Sequence, residues 1–176
     1  MNDKPRLALV GSLFVVAAGC GKSEAAASRV VIPTASAAAT PAPAAHSDCA
    51  HAICADNFFV DVVAPGDCVA GGTCRMTLKL VATGDFHVND EYPYRFRADD
   101  TRGVTFAGTD GGGRNVFSKA AGDWTKVDAK SGSMAVTFLP SSKASVTISG
   151  TFKLSVCSKE DCLLEQRQVG ATVVAR

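Results

Sequence analysis

A β-hairpin is predicted by the stretch Gly150-Thr-Phe-Lys-Leu-Ser-Val-Cys157-Ser-Lys-Glu-Asp-Cys162-Leu-Leu-Glu165. Apolar and polar residues alternate up to the first cysteine, which is the period-2 pattern of a strand with one buried face. Four polar residues then separate Cys157 from Cys162, and a second apolar run follows. Cysteines that flank such a loop have Cα atoms roughly 4.5 to 5.5 Å apart, and a disulfide needs about 4.4 to 6.8 Å. We therefore expect the two cysteines to meet across neighbouring strands.

The same alternation recurs in short segments upstream and downstream of the hairpin. Such segments begin near Phe58, Met76, Tyr92, Val104, Met134, Val146 and Val169. Turn signals separate them, among them Gly71-Gly72, Ser131-Gly132 and Pro140-Ser-Ser, and no segment has a sustained helical stripe. Seven or eight short strands within about 125 residues are typical of an antiparallel two-sheet β-sandwich. Pro93 marks an edge strand or a strand entrance, and Trp124 is expected in the core or at a sheet edge.

The beginning of the chain has the features of a bacterial lipoprotein signal. Lys4 and Arg6 precede an apolar run from Leu7 to Ala18, which is too short to span a bilayer as a mature helix. The run ends in Ala-Ala-Gly-Cys20, which resembles a lipobox. The resemblance implies a signal peptide over residues 1–19 and a lipid on Cys20, the alternative being an ordinary secretory signal with a free Cys20. Several acyl chains, each contributing about 0.8 kcal/mol per buried CH₂, would then hold the protein on a membrane.

Residues 20–48 are predicted to be the lipid anchor and a flexible linker. This segment is rich in Ala, Ser, Thr and Pro and has no apolar periodicity. Gly21 rather than Asp follows Cys20, and in Gram-negative lipoproteins that pattern implies passage to the outer membrane, facing the periplasm or the exterior. The β-sandwich domain is expected over residues 49–176. The net charge of +1 gives no indication of nucleic-acid binding.

The remaining cysteines fall into three near pairs. They are Cys49 with Cys54, Cys68 with Cys74, and Cys157 with Cys162. Sequence proximity favours local pairing, although other connectivities stay open. Closing a loop of about six residues restricts the unfolded chain by only roughly 2 kcal/mol. We therefore expect Cys49, Cys54, Cys68 and Cys74 to form modest structural disulfides.

Two segments together resemble a known family. The run Phe152-Lys-Leu-Ser-Val-Cys157-Ser-Lys-Glu-Asp-Cys162 resembles the strand-Cys-loop-Cys hairpin in the N-terminal periplasmic domain of the thiol:disulfide interchange protein DsbD and in disulfide bond corrector domains. A second similarity lies upstream, in Gly84-Asp-Phe-His87-Val-Asn89-Asp-Glu-Tyr92-Pro93. It resembles that family's Gly-aromatic-His-hydrophobic-Asn segment, which follows an early strand. The resemblance implies an immunoglobulin-like β-sandwich. It also implies that Cys157 and Cys162 are a catalytic redox pair, with a thioredoxin-like protein or a membrane-embedded reductase as partner. We expect no cofactor.

A second interpretation stays open, in which the domain is a non-catalytic structural or protein-binding module. Lys153 and Lys159 are balanced by Glu160 and Asp161, so nothing in the sequence clearly lowers a thiol pKa. Hydrolase and transferase motifs are absent from the sequence. On this interpretation the protein is an envelope lipoprotein and all its cysteine pairs are permanent disulfides.

Other polar residues are expected to play structural roles. Four residues of the kind that bind zinc or copper lie close together, but their spacing matches no standard site: His46, Cys49, His51 and Cys54. We therefore predict no metal. His87 and Asn89 follow a turn signal and are expected to satisfy backbone groups in a connection.

Overall fold

The structure is a computed structural model that describes residues 50–176. The predicted signal peptide, the proposed lipid site Cys20, the linker, and His46 and Cys49 lie outside the described residues. Within residues 50–176, no helix is long and apolar enough to cross a membrane.

The described part of the chain is built from eleven strands. They are β1 (Ile53–Ala55), β2 (Phe58–Val63), β3 (Cys74–Ala82), β4 (His87–Val88), β5 (Arg95–Ala98), β6 (Val104–Phe106), β7 (Val116–Ser118), β8 (Trp124–Lys126), β9 (Ser131–Pro140), β10 (Ser145–Cys157) and β11 (Cys162–Val174). One sheet has the order β1-β2-β3-β9-β6, with β8 also paired to β9; the other has the order β11-β10-β5-β7, with β4 also paired to β10. Every pair of named strands is antiparallel. The prediction of an all-β, immunoglobulin-like antiparallel sandwich is confirmed.

The core lies between the two sheets and is formed by the alternating residues that the sequence pattern identified. Residues of β3 and β9 alternate between buried and more exposed positions along almost their whole length. Six aromatic side chains are less than 2 % exposed: Tyr94, Phe58, Phe96, Phe117, Phe138 and Phe152. Burial of each such side chain contributes about 1.5 to 3 kcal/mol relative to exposure. The aromatic residues therefore supply a large part of the hydrophobic stabilisation.

One local prediction, a turn at Ser131-Gly132, is wrong, and the two alternatives for Pro93 are decided. Ser131-Gly132 was expected to be a turn, but both residues lie within β9. Gly132 is required there because a Cβ atom would lie 2.3 Å from Cζ2 of Trp124, whose buried ring packs over it. Pro93 lies just before β5, an interior strand of its sheet, so it marks a strand entrance.

The predicted hairpin is longer than the sequence pattern indicated. β10 and β11 each contain 13 residues and pair continuously from Ser145 with Val174 to Cys157 with Cys162. Gly150 lies in the middle of β10, where a Cβ atom would meet the Arg97 carbonyl oxygen at 2.3 Å. A glycine inside a strand can mark the close approach of another backbone. Gly150 therefore lets β5 approach β10 without interrupting the strand.

Candidate functional site

The candidate site is the disulfide at the closed end of the β10–β11 hairpin. Cys157 and Cys162 are bonded, with Cα atoms 4.0 Å apart. In the adjoining turn, the Ser158 N–H donates a 2.8 Å hydrogen bond to the Asp161 carbonyl. Hydrogen-bonded and non-hydrogen-bonded pairs alternate along an antiparallel ladder, so the two cysteines form a non-hydrogen-bonded pair. Cα atoms are closest at such positions, typically about 4.5 Å apart, and in this pair the separation is shorter still.

The turn that connects the two cysteines is held by the side chain of Ser158. Its hydroxyl oxygen accepts hydrogen bonds from the N–H groups of Glu160, at 3.1 Å, and Asp161, at 3.0 Å. A serine hydroxyl that bonds to backbone groups two and three residues further on stabilises a tight turn. The loop is therefore ordered by its own first residue. Its turn needs no left-handed backbone, because no non-glycine residue among residues 50–176 has a positive φ.

The structure brings His87 to the disulfide. β4 pairs with β10 so that His87 lies directly opposite Cys157, on the strand edge that faces away from β11. His87, Cys157 and Cys162 therefore form a row across the outer face of the sheet, the face turned away from the core. Cys157 is only 6 % exposed, whereas Cys162 and His87 are exposed. The sequence singled out both segments but did not show that they adjoin.

The backbone next to the disulfide is satisfied by Asn89 and Tyr94. β10 pairs with β4 at Val156 and with β5 from Lys153, so neither strand pairs with Ser155 on that side. The Ser155 carbonyl instead accepts hydrogen bonds from the Asn89 N–H, at 3.3 Å, and from the Tyr94 hydroxyl, at 2.7 Å. One main-chain donor and one side-chain donor therefore satisfy the Ser155 carbonyl where no neighbouring strand does.

The side chain of Asn89 completes this arrangement. Its amide nitrogen donates to the Ser155 hydroxyl at 3.2 Å, and its amide oxygen accepts from the Glu91 N–H at 3.0 Å. Ser155 is fully buried, so its hydroxyl needs such a partner. The prediction that Asn89 satisfies a backbone group in a connection is confirmed.

Tyr94 links this region to the opposite sheet. Its ring stacks on Trp124 with centroids 4.0 Å apart and planes 10° from parallel. Burial raises the pKa of Tyr94 far above its usual range, so the hydroxyl keeps its proton and remains a donor. The Tyr94 side chain beneath the candidate site is therefore uncharged and hydrogen-bonded.

An open cleft of about 420 Å³ adjoins the disulfide turn. It lies between the segment before β4 and the turn after β10, and it is lined by Asp85, Phe86, Ser158, Lys159 and Glu160. Two carboxylates and one ammonium group give it a mixed charge. Such a lining does not select strongly for a ligand of one sign.

The second disulfide lies elsewhere and is more deeply buried. Cys68 and Cys74 are bonded, with Cα atoms 5.3 Å apart and exposures of 1 % and 2 %. Cys54 is also disulfide-bonded, and Cys49, its expected partner, lies outside the described residues. The local pairing that sequence proximity favoured is therefore present for Cys68 with Cys74 and for Cys157 with Cys162.

Of the residues considered for metal binding, His51 and Cys54 lie within the described residues, and both are engaged by the protein itself. His51 Nδ1 lies 2.5 Å from a carboxylate oxygen of Asp61, and the His51 ring stacks on Phe59 with centroids 3.9 Å apart. Among residues 50–176, no group of three or more His, Cys, Asp or Glu residues is placed to hold a metal ion.

Comparisons with known proteins give a likeness of fold at most. No protein-family model matches the chain, and no curated protein matches it. Among solved structures, it is similar to AggA, the major subunit of aggregative adherence fimbriae type I from Escherichia coli, with a TM-score of 0.35 and 9 % identity over 72 % of this chain and 99 % of that chain. It is also similar to PapD-like domain 7 of human CEP192, with a TM-score of 0.30 and 11 % identity over 66 % of this chain and 84 % of that chain. Structural similarities this low do not indicate what this chain binds. The resemblance to DsbD stays a prediction.

Proposed function

We propose that this chain is a lipid-anchored protein of the bacterial cell envelope, attached through Cys20 to the outer membrane. Its β-sandwich would act there as a non-catalytic structural or protein-binding domain with permanent disulfides. The observation that carries this proposal is the burial of Cys68, Cys74 and Cys157, whereas Cys162 is exposed. Cys68, Cys74 and Cys157 are 1 %, 2 % and 6 % exposed, and thiol-disulfide exchange needs access to a sulfur atom.

The charges around the hairpin disulfide support the same proposal. A reactive cysteine is activated by a nearby cation, a metal or a helix N-terminus. Residues 50–176 contain no helix, and the turn has Lys159 beside Glu160 and Asp161. The described surroundings of the disulfide therefore offer little net positive charge to stabilise a thiolate.

Redox titration tests the permanence of the disulfides. Structural disulfides typically have potentials below about −300 mV, which the glutathione pool does not reduce. We expect every disulfide of the full chain to persist in glutathione and thioredoxin buffers, as measured by alkylation and mass spectrometry. Selective reduction of the Cys157–Cys162 bond would instead support exchange.

Lipid labelling tests the membrane anchor. A bacterium that expresses the full chain and is fed an alkyne-bearing fatty acid should label the wild-type protein. The Cys20→Ser variant should lose the label, because the thiol that receives the lipid is absent. Label that persists in this variant would show that the anchor is wrongly assigned.

The pairing of His87 with Cys157 favours thiol-disulfide exchange as a second candidate function. A partner's thiolate would attack the sulfur of Cys162, which is the exposed member of the pair. A mixed disulfide would form as the Cys157–Cys162 bond broke, and Cys157 would leave as a thiolate beside His87. On this candidate, His87→Ala slows reduction of the bond by thioredoxin, whereas a permanent disulfide resists reduction in both proteins.

A further inference from the structure

The long strand β11 presents one open edge. The Ala175 N–H donates to the Ala144 carbonyl on the β10 side, whereas the Arg176 N–H donates to the Cys68 carbonyl on the opposite side. Backbone groups of successive residues point to alternate edges of a strand, and the register with β10 is continuous. The even-numbered residues from Cys162 to Val174 therefore direct their N–H and C=O groups away from β10. Among residues 50–176, no named strand pairs with that edge.

Two opposite charges lie near the centre of this edge strand and point towards the core side. Glu165 and Arg167 share that side with Val169, which is buried. Arg167 Nε lies 3.1 Å from a carboxylate oxygen of Glu165. This distance meets the limit for an ion pair, but the same nitrogen is buried and makes no hydrogen bond within the described residues. Arg167 therefore has an unused Nε–H group. A buried donor without an acceptor is costly.

The sequence around these charges is self-complementary when it is read in the antiparallel direction. Residues 163–169 are Leu-Leu-Glu-Gln-Arg-Gln-Val. A two-fold axis at Gln166 places Glu165 opposite Arg167, and Leu163 opposite Val169. Moving the axis to residue 165 or 167 would instead set two like charges directly opposite each other, which is destabilising.

We propose that β11 pairs with β11 of a second copy of this chain, antiparallel and centred on Gln166. The two sheets would then form one continuous sheet across the dimer. Gln166 directs its backbone groups to the open edge, so it would exchange both hydrogen bonds with Gln166 of the second copy. Glu165 and Arg167 of the second copy would occupy a non-hydrogen-bonded pair, where side chains are closest. The unused N–H group of Arg167 would gain a second carboxylate.

The proposed interface is small, which determines how it must be tested. Pairing of one strand edge buries much less than the roughly 1,600 Å² of a standard interface, so the association is weak and transient. A disulfide across the axis traps such a pair. Facing residues of a hydrogen-bonded pair have Cα atoms about 5.5 Å apart, within the range that a disulfide accepts.

The experiment introduces Gln166→Cys into the full chain, expressed in a bacterial envelope and analysed by non-reducing electrophoresis. The control is Gln168→Cys, because both residues are exposed on the same face of the same strand. In this register, two copies of residue 168 are displaced by four residues, about 13 Å along the strands. We expect at least fivefold more covalent dimer from the variant at position 166. Equal cross-linking of the two variants, or none, overturns the proposal.

Charge exchange tests the pairing without a change of position. In the Gln166→Cys background, Arg167→Glu should reduce the covalent dimer at least threefold, because two glutamates then face each other. The double change Glu165→Arg with Arg167→Glu should restore it, because opposite charges face each other again. An unchanged yield of covalent dimer in these variants would show that a second copy does not occupy this edge. A cross-linked product with the mass of a different protein would show the same.

Discussion

The hydroxyl of Tyr94 donates a 2.7 Å hydrogen bond to the backbone carbonyl of Ser155. This contact spans the gap in β10 between its pairing with β4 and its pairing with β5. Because Tyr94 also stacks on Trp124, one side chain ties the backbone beside the Cys157–Cys162 disulfide to the opposite sheet.

Replacing Tyr94 with phenylalanine should lower the free energy of unfolding by about 1 kcal/mol. The cost is moderate because the Ser155 carbonyl still accepts the Asn89 N–H at 3.3 Å. Urea denaturation measures the change. The matched control is Tyr92→Phe, which removes a hydroxyl without a hydrogen bond within residues 50–176 and should change stability by less than about 0.5 kcal/mol. Equal losses in the two variants would show that the hydrogen bond to Ser155 contributes little.

The fold class was predictable because short strands with one buried face leave a period-2 pattern. The boundaries of the strands were less predictable, because a glycine in a strand is taken for a turn glycine unless the groups packed against it are known. Gly132 and Gly150 are both strand residues, and each is needed where another group comes close: the Trp124 ring in one case and the Arg97 carbonyl in the other. Such contacts between distant segments leave no local signal.

The candidate site was only partly predictable for a similar reason. The Cys157–Cys162 hairpin is a local structure, and its spacing was sufficient to indicate it. The position of His87 opposite Cys157 depends on the pairing of β4 with β10, which joins segments about seventy residues apart and follows from the packing of the whole sheet. The open edge of β11 is likewise a property of strand order, which the sequence pattern does not specify.

Gly150→Ala should destabilise the protein by about 1 to 3 kcal/mol, because the added methyl group would overlap the β5 backbone. A Cβ atom at this position would lie 2.3 Å from the Arg97 carbonyl oxygen and 2.7 Å from the Ala98 Cα. Thermal unfolding followed by circular dichroism measures the shift. Gly66→Ala is the control, since nothing lies within 4 Å of its Cβ position. If the two variants unfold at the same temperature, the β5–β10 contact is more tolerant than its geometry indicates.

Removal of the hairpin disulfide by Cys157→Ala with Cys162→Ala should cost about 2 kcal/mol, the chain-entropy value for a loop of this length. The β10–β11 ladder continues for twelve further pairs beyond the cysteines, so the folded state should persist. The corresponding double variant at Cys68 and Cys74 should cost more, because both sulfurs are buried and their loss leaves a cavity. Guanidinium denaturation of both variants provides the comparison. A larger loss at the hairpin would mean that this disulfide stabilises more than its own loop.

Asp110 should make the protein less stable in acid. Hydrogen bonds from the Ser118 hydroxyl, the Gly112 N–H and the Arg95 guanidinium lower the pKa of Asp110 from 3.8 to about 2. Arg95 Nη2 contacts both carboxylate oxygens, at 2.9 and 3.1 Å. A carboxyl group whose pKa is lower in the folded state stabilises that state above its unfolded pKa, and this contribution disappears as the pH falls through the folded value.

The Asp110 contribution is therefore complete above about pH 4 and disappears towards about pH 2. Asp110→Asn should remove it, so the variant is less stable than the wild type at pH 6 and the two converge as the pH approaches 2. Urea denaturation at pH 6, 4, 3 and 2 measures the difference at each step. Because asparagine keeps the size of the side chain and can still accept hydrogen bonds, a difference that stays constant across this range would assign the effect to packing instead of ionisation.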